Sequence, residues 1–96
     1  NNLIEEDPNF AEAWNKRATV YFMMGDFDKS MQDIIKTLEL EPRHFGALDG
    51  MGLIFIHQGQ FQQAIDVYDK MLEIFPFSLK TMEKRENIMS FISQST

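Results

Sequence analysis

The sequence has 96 residues, of which 44% are hydrophobic and 25% are charged, and this composition describes one ordinary domain with a single core. Nine basic and fifteen acidic side chains give a net charge of −6, which argues against nucleic acid as a partner because binding phosphates requires clustered Lys and Arg. Cysteine is absent, which excludes disulfides and thiolate chemistry, and the apolar stretches are far shorter than the ~18 residues of a membrane span.

Three prolines divide the sequence at equal intervals: Pro8, Pro42 and Pro76 are each 34 residues apart. A fixed period of about 20–50 residues indicates a repeat architecture. The same interval relates further pairs of one chemical class, among them Trp14 and Leu48, Tyr21 and Phe55, Gly25 and Gly59, and Phe27 and Phe61. The period therefore predicts two copies of one unit, over residues 11–44 and 45–78.

The first unit is predicted to contain two helices, after a short helical end that stops at Pro8. Its first helix ends at Gly25, which suits a left-handed position, and carries one stripe formed by Phe10, Ala13, Trp14, Arg17, Ala18 and Tyr21. Asp26 is the predicted N-cap of its second helix, which stops before Pro42. The stripe of that helix is formed by Phe27, Met31, Ile34, Ile35 and Leu38.

The second unit repeats this pattern, and a last helix follows it. Its first helix ends at Gly59 and carries Ala47, Leu48, Met51, Gly52 and Phe55. Its second helix carries Phe61, Ala64, Ile65, Tyr68, Met71 and Leu72. Close crossings between antiparallel helices are predicted at the small residues Ala18, Ser30, Gly52 and Ala64. The last helix, over 79–94, is predicted to pack through Leu79, Met82, Met89 and Ile92.

Two stretches resemble consecutive tetratricopeptide repeats: WNKRATVYFMMGDFDKSMQDIIKTLELEP and LDGMGLIFIHQGQFQQAIDVYDKMLEIFP. The bulky, small and aromatic residues of the family's first helix correspond to Trp14, Ala18 and Tyr21, and they recur as Leu48, Gly52 and Phe55. The small residue of its second helix corresponds to Ser30 and Ala64, and the closing proline to Pro42 and Pro76. One departure is Arg17, which stands where the family usually has Leu.

The resemblance implies an all-α solenoid of antiparallel helix hairpins that winds as a right-handed superhelix. It implies two full repeats over 11–44 and 45–78, with residues 1–8 as the tail of a preceding repeat and 79–94 as a capping helix. Because the chain begins partway through a repeat, we expect it to be a piece of a longer scaffold.

No catalytic residues, cofactor or metal site are predicted. Most carboxylates fall at helix ends or on outward faces, where solvation is the simpler role. His44 is expected in a loop and His57 near a helix end, and neither has the spacing to a second ligand that a metal requires. Gly50 and Gly52 follow no predicted strand, so they are expected to allow close helix packing rather than to cradle a phosphate.

The resemblance also implies a concave groove lined by the first helices, which binds a protein or peptide partner. It places the following residues in that groove: Glu12, Asn15, Lys16, Thr19, Phe22 and Met23 from the first unit, Asp49, Leu53, Ile56 and His57 from the second, and Lys80 and Lys84 from the last helix. An apolar band of Phe22, Met23, Leu53 and Ile56 stands at positions that packing inside the repeat does not require. Such a band indicates either a contact site or a surface that another helix covers.

Two further interpretations stay open beside a partner in the groove. A chaperone-binding carboxylate clamp is disfavoured, because only Lys80 and Lys84 match its pattern while Asn15, Thr19 and Gly50 do not complete it. A homodimer is the main alternative, formed through an open solenoid end at Trp14 and Tyr21.

Overall fold

The computed structural model describes residues 2–95, with side chains for 3–94, and it contains six helices. They are α1 (Asn2–Glu6), α2 (Ala11–Met23), α3 (Phe27–Leu40), α4 (Phe45–His57), α5 (Phe61–Ile74) and α6 (Leu79–Ser95). No strand occurs within residues 2–95, so the all-α prediction is confirmed. No helix in the described part of the chain is both long and apolar enough to cross a membrane.

The prolines mark the helix ends as predicted. Helices α1, α3 and α5 each end two residues before Pro8, Pro42 and Pro76. The residues before the last two prolines leave helical geometry, with φ −138° and ψ 90° at Glu41 and φ −138° and ψ 88° at Phe75. A proline ring disfavours helical backbone in the residue that precedes it, so the helix cannot continue.

Tight turns join the two helices of each hairpin. Gly25 and Gly59 have φ values of +80° and +74°. This backbone conformation would be strained in a residue with a side chain. The Oδ1 atom of Asp26 accepts a hydrogen bond from the Lys29 backbone N–H at 3.2 Å, so the predicted N-cap of α3 is confirmed. These short turns hold α2 against α3 and α4 against α5 as antiparallel pairs.

His44 lies in the loop before α4, as predicted, and it also caps that helix. Its Nδ1 atom accepts a hydrogen bond from the Ala47 backbone N–H at 3.0 Å, and its Nε2 atom lies 3.5 Å from Glu12 Oε2. An imidazole acceptor at this position satisfies one of the free N–H groups that every helix start presents. The sequence pattern missed it because His is not among the usual capping residues.

The small residues lie at the helix crossings as predicted, and all four are buried. Ser30 donates a hydrogen bond to the Ala18 carbonyl at 2.7 Å, which joins α3 to α2. Gly52 faces the ring of Tyr68, and a Cβ at position 52 would lie 2.9 Å from two of that ring's carbons. The close packing of α4 on α5 therefore requires a glycine there.

Two hydrophobic clusters form the core. One is centred on Ile34 and Ile54 and the other on Tyr68 and Met71, with Leu38 and Met51 packed against both. Because those two side chains are shared, the hairpins form one continuous core rather than two independent ones.

The last helix packs through a different stripe from the one predicted. Leu79, Met82 and Met89 are exposed, whereas Thr81 and Ile88 are buried. Of the predicted residues, only Ile92 packs against the core. Positions 81, 85, 88 and 92 fall on one side of a helix with 3.6 residues per turn, and this side faces α5.

Polar contacts explain this choice of face. Arg85 donates to Asp69 of α5, and the hydroxyl of Ser78 lies 2.8 Å from that of Thr81 at the start of α6.

Two other predicted stripes also contain an exposed residue: Phe10 lies outside α2 with 46% exposure, and Ile35 is 47% exposed on α3. Hydropathy alone does not identify a buried face that includes Thr and Arg.

Candidate functional site

Two adjoining clefts lie along the side of the molecule that α2, α4 and α6 form. Leu53, on α4, lines both of them. We call the cleft between α2 and α4 the first cleft and the cleft between α4 and α6 the apolar cleft. They lie on the side of the molecule where the sequence predicts a concave groove, and we call the two clefts together the groove.

The first cleft has a volume of ≈ 220 Å³ and a mixed lining. Thr19 donates a side-chain hydrogen bond to the Asn15 carbonyl at 3.1 Å, one turn apart on α2. The Asn15 amide lies 3.5 Å from Glu12 Oε1 at the rim. The cleft is lined by Asn15, Ala18, Thr19, Phe22, Ser30, Ile34, Gly46, Asp49, Gly50 and Leu53.

The apolar cleft is larger, at ≈ 450 Å³, and α5 contributes to its lining. The rings of Phe61 and Phe91 pack with their centroids 5.1 Å apart and join α5 to α6 along one wall. The cleft is lined by Leu53, Ile56, Phe61, Tyr68, Lys84, Asn87, Ile88 and Phe91.

An ion pair stands where the two clefts meet. Lys84 Nζ of α6 donates to Asp49 Oδ1 of α4 at 2.7 Å, and about a third of each side chain is exposed. Asp49 lines the first cleft and Lys84 lines the apolar cleft. A pair with this exposure contributes little to stability, so its main consequence is to fix the two polar groups in the groove.

A buried hydroxyl, that of Tyr68, is close enough to Asp49 to be influenced by its charge. Tyr68 has no exposed surface, and its hydroxyl makes no hydrogen bond with any described residue. Burial raises the pKa of Tyr68 to about 12, and the nearby charge of Asp49 adds to the effect. The hydroxyl therefore keeps its proton at neutral pH. Buried polar groups are ordinarily hydrogen-bonded, so a buried hydroxyl with no partner among the described residues is unusual.

Part of the predicted apolar band is used inside the protein, which corrects the expectation that packing does not need it. Phe22 forms a ring cluster with Phe27 and His57, whose centroids are 5.2–5.4 Å apart. Ile56 packs against the core and also lines the apolar cleft. Met23 is 79% exposed and lines neither cleft.

The remaining predicted groove residues divide into two groups. Lys16 and Lys80 are exposed and do not line either cleft, and Glu12 lies at the rim beside His44. The structure brings together Asn15, Thr19, Phe22, Asp49 and Leu53 in the first cleft, and Leu53, Ile56 and Lys84 in the apolar cleft. Whether any of them contacts a partner stays a prediction.

Sequence reasoning missed several residues of the apolar cleft, chiefly Phe61, Tyr68, Asn87, Ile88 and Phe91. The available signal was the spacing of Lys84, Ile88 and Phe91, at intervals of four and three residues, which places them on one face of α6. That face was overlooked because it mixes a cation with apolar groups.

Another surface of α2 carries stacked cations and rings. The guanidinium of Arg17 lies 5.2 Å from the Trp14 ring centroid and 5.7 Å from that of Tyr21, and it donates twice to Asp33 at 2.7 and 2.9 Å. The hydrogen bonds to Asp33 raise the pKa of Arg17. Lys29 and Lys36 cover the outer sides of the Tyr21 and Trp14 rings. Arg17, which stands where the family usually has Leu, is therefore held in place by two aromatic rings and by its hydrogen bonds to Asp33.

Charge is distributed unevenly between the helices. Helices α2, α4 and α6 together hold five Lys or Arg and four Asp or Glu, whereas the whole chain holds nine against fifteen. The helices that line the groove are therefore much less acidic than the rest of the molecule. Among residues 2–95, no three His, Asp or Glu side chains stand close enough together to hold a metal ion.

The helix hairpins and the shared core define a helical-repeat protein. Residues 11–44 and 47–78 each match a family model for the tetratricopeptide repeat. The chain belongs to the tetratricopeptide repeat family. A TPR repeat-containing protein of Rhizobium etli is 42% identical over 83 residues, which cover 86% of this chain and 40% of that protein. The chain thus spans less than half the length of this relative.

Solved structures show the same fold at low sequence identity. The first TPR of Spaghetti (RPAP3), bound to HSP90 peptide SRMEEVD, has a TM-score of 0.85 and 19% identity, covering 94% of this chain and 71% of that one. The second TPR domain of human RPAP3, in complex with HSP70 peptide SGPTIEEVD, has a TM-score of 0.80 and 17% identity, covering 90% and 72%. At these identities the likeness concerns the fold alone.

Proposed function

We propose that the chain is a protein-protein interaction module that binds an extended or helical segment of a partner protein along the groove of α2, α4 and α6. The observation that carries this proposal is the pair of clefts that meet at Leu53, one with a mixed lining and one apolar. Apolar pockets with a few polar groups at their edge suit side-chain anchors and hydrogen bonds to a peptide.

The charges of the groove suggest the kind of segment it binds. In a chain of net charge −6, the groove helices carry a slight excess of cations, among them Lys16 and Lys80, which are exposed. A partner segment with acidic residues beside an apolar anchor therefore meets less repulsion here than elsewhere on the molecule. The neighbouring structures hold peptides with adjacent Glu residues, and this supports a similar geometry for the present chain.

A complete carboxylate clamp is not part of this proposal. Only Lys80 and Lys84 match its pattern, and Lys84 already donates to Asp49 at 2.7 Å. The segment is instead oriented by Asn15, Lys16, Asp49 and His57, with its apolar contacts at Leu53 and Ile56. Phe22, which lines the first cleft, is kept as a further apolar contact, whereas Met23, which lines neither cleft, is not.

Capture of partners from the native cell extract tests the groove. Leu53→Glu puts a charge into both clefts, and Val20→Glu is the matched control because Val20 is 53% exposed on α2 and lines neither cleft. We expect a set of proteins that wild type and Val20→Glu capture and Leu53→Glu loses. Circular dichroism must show that both variants are folded.

A second variant covers the case in which Leu53→Glu unfolds the chain. Asn15→Asp changes a half-buried polar group at the edge of the first cleft without altering its size. If both folded groove variants capture the same proteins as wild type, the groove is not the binding surface.

Self-association is the alternative proposal, through the exposed parts of Trp14 and Tyr21. These rings carry Arg17, Lys29 and Lys36 over their faces, so a second copy has to present acidic groups to this surface. Sedimentation equilibrium at high concentration decides between the two: a monomer excludes the homodimer and leaves the groove proposal intact.

A further inference from the structure

A second surface, separate from the groove, lies between α3 and α5. In the described part of the chain these two helices do not pack on each other, and α4 packs against both. Two clefts of ≈ 510 and ≈ 440 Å³ adjoin there, and Met51 of α4 lines both of them. We call these two clefts together the outer seam. No described residue lines both the outer seam and the groove.

Apolar side chains at regular spacing form the floor of the outer seam. Leu48, Met51 and Phe55 follow one another at intervals of three and four residues, on one side of α4. Ile35 and Leu38 of α3 add apolar groups at the wall. At ~1.5 Å per residue, the distance along the axis from Leu48 to Phe55 is about 10 Å. A partner helix presents apolar anchors at the same intervals, so it matches this row.

The charged groups at the edges of the outer seam are mainly carboxylates. Asp28 of α3 lines one cleft, is exposed and forms no ion pair with any described residue. Asp66 of α5 lines the other cleft, is also exposed and accepts a hydrogen bond at 3.1 Å from the neutral amide of Gln62. Lys70 is the one cation among the described residues of the lining. Both carboxylates are therefore open to a cation from a partner.

The two cations of α3 are directed elsewhere. Lys29 and Lys36 lie 5.6 and 5.7 Å from the ring centroids of Tyr21 and Trp14, and they do not line the outer seam. Helices α3 and α5 together hold six Asp or Glu against three Lys or Arg, whereas the groove helices hold slightly more cations than anions. Charge complementarity at the outer seam therefore favours a basic segment.

We propose that the outer seam binds a basic amphipathic helix of a partner protein. Its apolar side chains enter the two clefts, and its Lys or Arg side chains face Asp28 and Asp66. The proposal does not depend on the groove being a binding site, because the two surfaces have separate linings. With both surfaces in use, the module holds two segments of opposite charge.

A synthetic peptide of 14 residues, the length of α3, tests the outer seam. It consists of Leu and Lys, with Leu at intervals of three and four residues so that the helix has one apolar and one basic side. Titration followed by two-dimensional amide NMR should give saturable shifts around Ile35, Met51 and Asp66. Shifts confined to the groove would overturn the proposal, even if the peptide binds tightly.

Two control peptides separate the charge of the probe from its pattern. In one, Glu replaces every Lys, and in the other the same Leu and Lys residues are reordered so that Leu is spread around the helix. Both should bind about tenfold more weakly or less, and added salt should weaken the binding of the original peptide. Equal binding of either control would show that the outer seam does not recognise a basic amphipathic helix.

A variant at the wall tests the apolar contact. Ile35→Lys removes an exposed apolar group and adds a cation, so peptide binding should weaken about tenfold. Val20→Lys is the matched control, because Val20 is similarly exposed on α2 and does not line the outer seam. Unchanged affinity in Ile35→Lys, with the fold shown intact by circular dichroism, would contradict the proposal.

A second pair of variants tests the carboxylates. Asp28→Asn combined with Asp66→Asn should weaken peptide binding about three- to tenfold and reduce its dependence on salt. Glu83→Gln combined with Glu86→Gln removes the same charge from exposed positions on α6 and should leave the affinity unchanged. Equal losses in both double variants would mean that the net charge of the chain, and not the outer seam, attracts the peptide.

Sedimentation equilibrium without peptide distinguishes a partner helix from a second copy of this chain. We expect the same mass for wild type and Ile35→Lys, because the occupant is a different protein. A wild-type dimer that Ile35→Lys dissociates would assign the outer seam to a second copy and overturn the proposal.

Discussion

Gly52 and Tyr68 form one packing unit between α4 and α5. An alanine Cβ at position 52 would lie 2.9 Å from the Cε1 and Cζ atoms of a ring that is fully buried. We predict that Gly52→Ala destabilises the fold by about 1–3 kcal/mol, the usual effect of overpacking, although alanine is the better helix former.

Gly50→Ala is the control for this prediction. Its Cβ would lie 3.3 Å from Ile34 Cδ1, the end of a flexible side chain that can move. Helix propensity then favours alanine by about 1 kcal/mol, so the variant should be neutral or stabilised. Urea unfolding followed by circular dichroism measures both. Equal stability of the two variants would contradict the packing argument.

The buried hydroxyl of Tyr68 predicts a loss of stability at alkaline pH. Its pKa is raised from 10.0 to about 12 in the folded state, so the unfolded chain releases this proton first. The contribution to the free energy of unfolding is complete below about pH 10 and falls by up to about 1.4 kcal/mol per pH unit until about pH 12.

Comparison with Tyr68→Phe isolates this effect from the titration of other groups. As the pH rises from about 9 to 12, the free energy of unfolding of wild type should fall relative to that of Tyr68→Phe. Denaturant unfolding at several pH values measures it. A constant difference would mean that Tyr68 titrates alike in the folded and unfolded states.

Single residues differed in how far the sequence predicted them. Gly52 follows from the repeat, because a small residue recurs wherever two helices cross. Arg17 shows only as a departure from the family, and nothing in the sequence indicates that Asp33, sixteen residues later, binds it. The pairing depends on the angle between α2 and α3, which only packing determines.

The helix α6 provides the clearest test at the scale of an element. Ile88 is buried against the core, whereas its neighbour Met89 is 41% exposed. We predict that Ile88→Ala lowers the free energy of unfolding by about 2–4 kcal/mol and that Met89→Ala changes it by less than about 0.5 kcal/mol. Thermal and urea unfolding measure both values. A larger cost for Met89→Ala would favour the stripe that hydropathy predicts.

The helices themselves were predictable because their boundaries depend on local chemistry. Gly25 and Gly59 take a backbone conformation that other residues avoid, and each proline prevents the preceding residue from being helical. The orientation of α6 was not predictable in the same way. Its buried face includes Thr81, and Arg85 pairs with a carboxylate on α5, so the neighbouring helix selects the face.

At the scale of the whole molecule, the two clusters of the core share Leu38 and Met51. The repeats should therefore unfold together, as coupled units of a solenoid do. We predict that the fluorescence of Trp14, which reports the first hairpin, and circular dichroism, which reports all helices, give coincident unfolding curves in wild type.

Leu38→Ala weakens the contact between the hairpins and should separate these two curves along the denaturant axis. Exposed Ile35 lies on the same helix, so Ile35→Ala is the control and should keep the curves coincident. Curves that stay coincident in Leu38→Ala, with a uniform loss of stability, would show that other contacts couple the repeats.

The sequence by itself determined the family, the helix pairs and most of their ends, because the 34-residue period, the glycines and the prolines act through local backbone geometry. The resemblance to the tetratricopeptide repeat family also implied a groove lined by the first helices of successive units. Only the tertiary structure decided what the groove contains. The pairing of Lys84 with Asp49 and the apolar cleft at α6 depend on distances between helices, as does the Tyr68 hydroxyl, which has no partner among the described residues. Side chains far apart in sequence set those distances.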